Sequence, residues 1–209
     1  MTEYEKMQNG FIYDALDPKF HVEEERGHKL CEKYNNLSSN DSAEKQNILL
    51  EMFETDAFDG YRMFGKPIFI DNAKELHIGK RFYANAYFTC VEGAPVYIGD
   101  DVLIGPHCTI ATGIHSLLPD ERRISLGQDG KPHDYEYGKS VTIGNNVWIA
   151  SNVTIIGGAK IGDGSVIGAG SVVTKEIPAG VFAAGNPCKV IRKLTEEDSI
   201  YKKAPIFSE

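Results

Sequence analysis

A mainly β fold, a parallel β-helix of six-residue repeats with a helical N-terminal segment and an extruded loop, is predicted by three observations. Aliphatic residues recur every six positions through much of the second half of the chain. The glycines gather in the same stretch, 15 of the 21 lying in residues 98–185. The acidic charge gathers outside it. The first observation is the strongest: Ile98, Ile104 and Ile110 share one register, and Ile143, Ile149, Ile155, Ile161, Ile167 and Val173 share another. The next position is usually Gly or Ala, with Ile156 and Thr174 as exceptions. A period of six is neither a helix period nor strand alternation, but it suits short strands stacked coil upon coil around a narrow interior. The small residue tolerates the corner, where Gly and Asn relieve turn strain; Asn145, Asn146 and Asn152 are read as corner residues. A fainter run comprises Ile78, Ala84, Cys90 and Val96. A strand-rich sandwich with glycine turns is the alternative, and it gives no reason for nine aliphatic residues to keep step.

The elements follow in chain order. Residues 1–60 form a helical domain that carries 14 Asp/Glu against 6 Lys/Arg, whereas residues 61–209 carry 16 of each, so the net charge of −8 belongs to the N-terminal segment. Within it, residues 21–34 and 41–54 read as helices; Asp41 followed by Glu44 resembles a capping box, and Ile48, Leu49, Met52 and Phe53 share an apolar face. The β-helix occupies 61–193, with a two-residue register shift at Glu92–Pro95. Residues 115–140 are an extruded loop, because the hexads at 110 and 143 are 33 positions apart, not a multiple of six. A polar loop of that length in a compact domain is usually functional. Residues 179–191 read as a final strand pair, and 195–203 as a short helix, with Thr195 as N-cap, in a tail of 194–209. Such ends close an open stack that would otherwise expose apolar surface and strand edges.

Composition narrows the class. The four cysteines (Cys31, Cys90, Cys108, Cys188) form no CxxC pair, which argues against a zinc module or disulfide framework and for reduced cytoplasmic thiols. No apolar run approaches the ~20 residues that span a bilayer, and the opening MTEYEKMQNG lacks a secretory profile. The absence of a basic stripe makes nucleic acid a poor partner.

TIGNNVWIA, IGDGSVIGAGSVVTKEIP and AAGNPCKVIR resemble the hexapeptide-repeat acyltransferases, and YDALDPKF with ERGHKLCEKYNN resembles the helical domain of the maltose and galactoside O-acetyltransferases, including the nodulation-factor type. The resemblance covers nearly the whole chain. It implies a left-handed coil, where the usual rule for parallel crossovers predicts a right-handed one. It also implies a homotrimer with active sites between subunits, acetyl-CoA as co-substrate, a sugar as acceptor and no metal.

Acetylating a hydroxyl requires a base poised near neutral pH, a donor for the thioester oxygen and cations for the coenzyme phosphates. Of the six histidines, His115 stands where the last hexad turns into the loop, and its segment ATGIHSLLPDERR resembles the family segment that carries the catalytic histidine; Ser116 replaces the usual proline. His107 lies inside a hexad and reads as structural, and His133 is a possible substrate contact. The resemblance places Asn85 of FYANAYF at the reacting centre and acceptor, Asp14 and Asp71 at sugar hydroxyls, and Glu92 there on a weaker match, with Tyr83 and Tyr137 nearby. For the coenzyme it implies Ser151 and Ala169 at the pantetheine arm, Thr174 and Lys175, then Lys189 and Arg192 at phosphates, with Trp148 close by. The alternatives are a non-sugar acceptor (an amine, serine or an antibiotic), a non-catalytic hexapeptide scaffold, or a zinc carbonic anhydrase built on the same coil. The last lacks three convergent histidines.

Overall fold

The computed structural model describes residues 1–38 and 40–203. From Arg62 the chain winds through about six coils of a three-faced prism. The first face has seven strands, beginning at Arg62–Phe64 and ending with the hairpin Val181–Ala184 and Lys189–Lys193; the second and third have five each, beginning at Ile68–Ile70 and Leu76–Ile78. All ladders between coils are parallel, and only the closing hairpin is antiparallel.

The hexad residues point inward. Phe64, Ala84, Ile104, Ile149, Ile167 and Ala183 stack up the first face, and all are buried. Ile70, Cys90, Ile110, Ile155 and Val173 do the same on the second. Corners are tight: Tyr87, His107 and Asn152 at one edge, and Arg81, Asp101 and Asn146 at another, have positive φ. His107 is thus a corner residue, its ring stacked on Tyr87 at 4.3 Å. Asn146 and Asn152 are corners as the sequence predicts, and the Asn145 side chain accepts the Asp100 N–H of the next coil at 2.8 Å.

Departures from the six-residue period share one location. Ile70 and Ile78 are separated by eight residues, as are Cys90 and Ile98, the extra residues forming the Ala73–Glu75 turn and the Glu92–Pro95 corner. Ile110 leads into the extruded segment, and Val173 is followed after only four residues by Ile177. All four lie at the edge between the second and third faces, called here the second edge. The repeat therefore begins two strands earlier than the fainter hexads suggest, at Phe64 and Ile70 of the same coil as Ile78.

The extruded segment is organised. Gly113–Ile114 leaves as a strand, Tyr135–Gly138 returns antiparallel to it, and Tyr13–Asp14 of the N-terminal segment completes a three-stranded sheet. Ser125–Leu126 and Pro132–His133 form a hairpin at its tip.

Three helices precede the coil. Glu3–Gln8 is absent from the sequence reading, although Thr2 and Glu5 form a complete capping box. Tyr4, Met7, Tyr13 and Phe20 make a small core of their own. The second helix is longer than its apolar pattern suggests, Pro18–Asn36, because Asp17 caps it and Pro18 occupies the first turn, where no N–H is needed. The third, Ser42–Met52, lacks the expected side-chain cap: the Asp41 carboxylate turns back to accept the Ser38 N–H at 2.8 Å. Its Ile48, Leu49 and Met52 close the bottom of the main core. At the other end Thr195 caps a 3-10 turn, Glu196–Asp198, and a separate helix, Ile200–Lys203, follows. The part of the tail beyond Lys203 lies outside the described residues.

Gly27 decides how closely the long helix approaches the coil. A Cβ there would stand 2.2 Å from the Asp71 carbonyl oxygen and 2.9 Å from that of Ile70, both backbone atoms that cannot swing aside. Gly27→Ala is expected to destabilise the fold by about 1–3 kcal/mol through overpacking, seen as a lower thermal midpoint. An unchanged midpoint would show that the helix can lift away freely.

Candidate active site

The irregular second edge carries a cleft of about 180 Å³ lined by Tyr13, Glu24, Asp71, Glu92, His115 and Glu136, among others. Each comes from an element already described. The pairing of Ile114 with Tyr137 brings the next residue outward, His115, opposite Glu136. His115 Nε2 lies 3.5 Å from Glu136 Oε2, and the imidazole is 56% exposed, open to an incoming group. Glu136 Oε1 accepts the Tyr13 hydroxyl. Burial and this carboxylate push the Tyr13 phenol far above its ordinary range, so it stays a donor.

Three more carboxyl groups complete the lining. Glu92, at the two-residue insertion, is 9% exposed; its Oε2 accepts the Asn72 N–H at 3.1 Å and its Oε1 has no hydrogen-bond partner among the described residues. Burial pushes Glu92 up to about 8. Asp71 Oδ1 lies 2.6 Å from His28 Nε2 of the long helix. Glu24, at the mouth, is raised by burial and then by Asp71. No Lys or Arg is among the described residues that line the cleft. His115 and Glu136 also border a larger apolar cavity of about 790 Å³ with Ile114, Leu117, Tyr135 and Tyr137.

Of the residues singled out in the sequence, the fold brings His115, Asp71 and Glu92 together. Asp14 is not among the lining residues: its Oδ1 accepts the N–H groups of Leu16 and Asp134 at 3.1 and 3.0 Å, and its Oδ2 lies 2.5 Å from His133 Nδ1. His133 Nε2 reaches Asp129 at 2.9 Å, so the imidazole bridges two carboxylates and ties the loop to the N-terminal strand. Asn85 is at a different edge, between the first and second faces, where its Oδ1 accepts the Ala86 N–H at 2.7 Å. Ser151 and Ala169 follow that same first edge. Tyr83 and Trp148 point outward from the first face, with Leu103 paired between them. Thr174 and Lys175 stand at the second edge, higher in the stack.

Lys175 and Lys189 have no carboxylate partner among the described residues, whereas Arg192 is committed to Asp198 through two bonds of 2.7 and 2.6 Å. The uncommitted ammonium groups suit the phosphates of a coenzyme. No group of three or more His, Cys, Asp or Glu that could hold a metal ion occurs among the described residues.

Glu136, Tyr13, Glu24 and His28 do not emerge from sequence reasoning. For Glu136 the one available signal is the YEYG segment just before the strand at Val141, which becomes meaningful only once the loop is known to return beside His115.

Three family profiles match the chain: a maltose acetyltransferase hexapeptide capping motif at residues 6–55, a hexapeptide repeat of succinyl-transferase at 95–115, and a bacterial transferase hexapeptide of six repeats at 140–175. The galactoside O-acetyltransferase of Escherichia coli K12 is 36% identical over 201 residues, spanning 96% of this chain and 94% of that one. The structure of a maltose O-acetyltransferase from Clostridium difficile 630 is 38% identical, with a TM-score of 0.82, over 94% of this chain and 99% of that one. A galactoside acetyltransferase in complex with coenzyme A is 33% identical, also with a TM-score of 0.82, over the full length of both chains.

The His133 bridge sets a pH dependence. Its bonds to Asp129 and then Asp14 raise its pKa above the ordinary 6.5. A raised folded pKa contributes stability that is present in full below the unfolded value and is lost as pH rises through the folded one. Burial raises the Asp14 carboxyl, but the Asp134 and Leu16 N–H groups and His133 together outweigh it and leave its pKa lowered, so its contribution is lost as pH falls through its folded pKa, below the ordinary 3.8. Thermal unfolding from pH 5.5 to 8.5 is expected to show a decline above about pH 6.5 that is reduced in His133→Gln. Parallel curves would show that the bridge adds nothing.

Proposed function

The chain belongs to the maltose and galactoside O-acetyltransferase branch of the hexapeptide-repeat acyltransferases, it uses acetyl-CoA, and from that premise we propose that it acetylates a hydroxyl of a sugar, with His115 as the general base. The observation that carries the proposal is the placement of the exposed His115 imidazole, 3.5 Å from Glu136, at the lip of a cleft lined with hydrogen-bond acceptors. Carboxylates accept from sugar hydroxyls well, and a neutral imidazole open to the cleft can take the proton of one of them.

In this reading the hydroxyl enters the cleft with Asp71 and Glu92 holding its neighbours. His115 takes its proton as the oxygen attacks the thioester carbonyl, and the C–S bond then breaks. The proton returns from His115 to the departing thiolate, giving an ester and free coenzyme thiol. Glu136 steadies the imidazolium, and Tyr13 in turn holds Glu136. Asn85 supplies an amide donor to the charge that develops on the carbonyl oxygen.

That last role requires a second subunit, because Asn85 and His115 stand at different edges of one prism. A homotrimer that sets the first edge of one subunit against the second edge of the next would unite Asn85, Ser151 and Ala169 with His115, Asp71 and Glu92. The outer surface of the first face supports such an assembly. Met63, Tyr83, Leu103, Trp148, Val166 and Phe182 pair in one continuous column, and Met63, Leu103 and Trp148 are about half exposed (53%, 47% and 53%). Exposed apolar area of that extent favours burial against a partner. We place the enzyme in the cytoplasm: its four cysteines are free, as a reducing compartment keeps them, and no described helix is long and apolar enough to cross a membrane.

The test is thiol release from acetyl-CoA over a panel of glucosides, galactosides and maltose. His115→Ala is expected to lower kcat by about 10²–10⁴-fold, the usual share of a general base, and wild-type turnover in that variant would remove His115 from the mechanism. A second expectation concerns Arg192. For its guanidinium to meet a phosphate, it must leave Asp198, and an exposed pair of that kind holds only weakly. Asp198→Asn should therefore lower KM for acetyl-CoA by no more than about fivefold with kcat unchanged. A raised KM would mean instead that Asp198 orients Arg192 for the coenzyme.

A further inference from the structure

Four carboxyl groups, Glu24, Asp71, Glu92 and Glu136, converge on one small cleft with no Lys or Arg among its described lining residues. Partners account for part of this arrangement. Glu136 takes the Tyr13 hydroxyl and faces His115; Asp71 takes His28. Glu24 makes no hydrogen bond or ion pair among the described residues. Glu92 is nine-tenths buried beside the Cys90 thiol, its Oε2 is satisfied by the Asn72 N–H, and its Oε1 has no hydrogen-bond partner among the described residues. A buried carboxyl oxygen without a donor is costly unless a ligand supplies one. Among the described residues, His115 faces Glu136, His28 takes Asp71, and His28 and His21 stand near the exposed Glu24; His115 must be neutral to act as a base.

We propose that the acceptor is a cationic sugar, an amino sugar bearing a free ammonium group, which binds in this acidic cleft and is acetylated on oxygen. The inference rests on the sugar-hydroxyl reading above and adds a charge to it. An ammonium group brings three donors, enough to serve the free Glu92 Oε1 and to reach the carboxylates of Asp71 or Glu24. A neutral hydroxyl brings a single donor and leaves the mutual repulsion of the acids in place. A cation beside Glu92 also offsets the cost of charging a buried carboxyl.

The same charges dictate which atom reacts. Carboxylates around an amine favour its protonated form, and an ammonium nitrogen has no lone pair with which to attack a thioester. The hydroxyl near His115 keeps its nucleophilic oxygen. The balance is that of the parent reaction: the hydroxyl proton passes to His115, the oxygen–acyl bond forms, the carbon–sulfur bond breaks, and the thiolate receives the proton. The ammonium group is unchanged throughout and serves only as an anchor.

The experiment compares glucosamine, glucose and N-acetylglucosamine as acceptors at pH 7, reading kcat/KM by thiol release and identifying the product as ester or amide by lability to alkaline hydroxylamine. Glucosamine is expected to exceed both uncharged sugars by about tenfold or more, a preference that falls in 0.5 M salt as the charges are screened, and to give the ester. In Asp71→Asn and in Glu24→Gln the glucosamine-to-glucose ratio should move towards one. A ratio taken within one preparation does not depend on how much of a variant has folded. Equal or poorer use of glucosamine, a ratio unchanged in both variants, or an amide product overturns the inference. Equal turnover of glucose would leave the sugar O-acetyltransferase reading standing and remove only the cation. Refusal of every sugar, with a non-sugar alcohol or amine accepted instead, would overturn both.

Discussion

Everything in this molecule depends on one packing constraint: the inward aliphatic residue of each short strand must land on its counterpart in the coil below. The parallel ladders fix the strands in register, and the interior is too narrow to absorb a slip. Ile143 under Ile161, Ile149 under Ile167 and Ile155 under Val173 each repeat after eighteen residues, three hexads of six. A one-residue shift would turn the buried set outward. The strands therefore have no freedom to carry chemistry on their inner side, and any insertion must be confined to a corner where backbone can leave and return without disturbing the ladder.

The second edge is the corner that takes up that freedom. Two-residue insertions at Ala73–Glu75 and Glu92–Pro95, the extruded segment after Ala111 and the shortened link before Glu176 all fall there. The insertions are also where the cleft lies: Asp71 precedes the first, Glu92 opens the second, and in the third His115 follows the departing strand while Glu136 stands on the returning one. Interruptions of the repeat thus mark the candidate site more directly than any single residue does. The register slip at Glu92–Pro95 and the 33-residue gap are both visible in the sequence as breaks. Their coincidence at one edge is not, because it depends on the three-sided winding of the coil.

Legibility followed the range of the interaction concerned. The hexads, the long loop, the final hairpin and Thr195 as a cap rest on local pattern and were readable. Asp41 was misjudged because its carboxylate had a competing local donor, the Ser38 N–H. The Glu3–Gln8 helix has a capping box but only Tyr4 and Met7 as apolar anchors, too few to show a period. The partners of the site residues were hidden altogether, since Tyr13 with Glu136, His28 with Asp71 and Asp14 with His133 are joined across 123, 43 and 119 residues. Net charge also misled when summed by segment. The stretch from residue 61 onward is neutral overall, yet it supplies Asp71, Glu92 and Glu136, three of the four acids in the cleft.

The N-terminal segment lines the candidate site and is not merely a cover for an open stack. Its strand Tyr13–Asp14 is the third member of the sheet formed by the departing and returning arms of the loop. Tyr13 holds Glu136 from one side of that strand, and Asp14, held through His133 and the Asp134 N–H, fixes the loop from the other. Without it the returning arm would keep only the short pairing of Gly113–Ile114 with Tyr137–Gly138, and two-stranded ribbons of that length are not stable alone in water. The carboxylate that faces His115 is therefore positioned by residues more than a hundred positions upstream. The acidic cap and the neutral coil form one functional unit, joined at the edge where the repeat is broken.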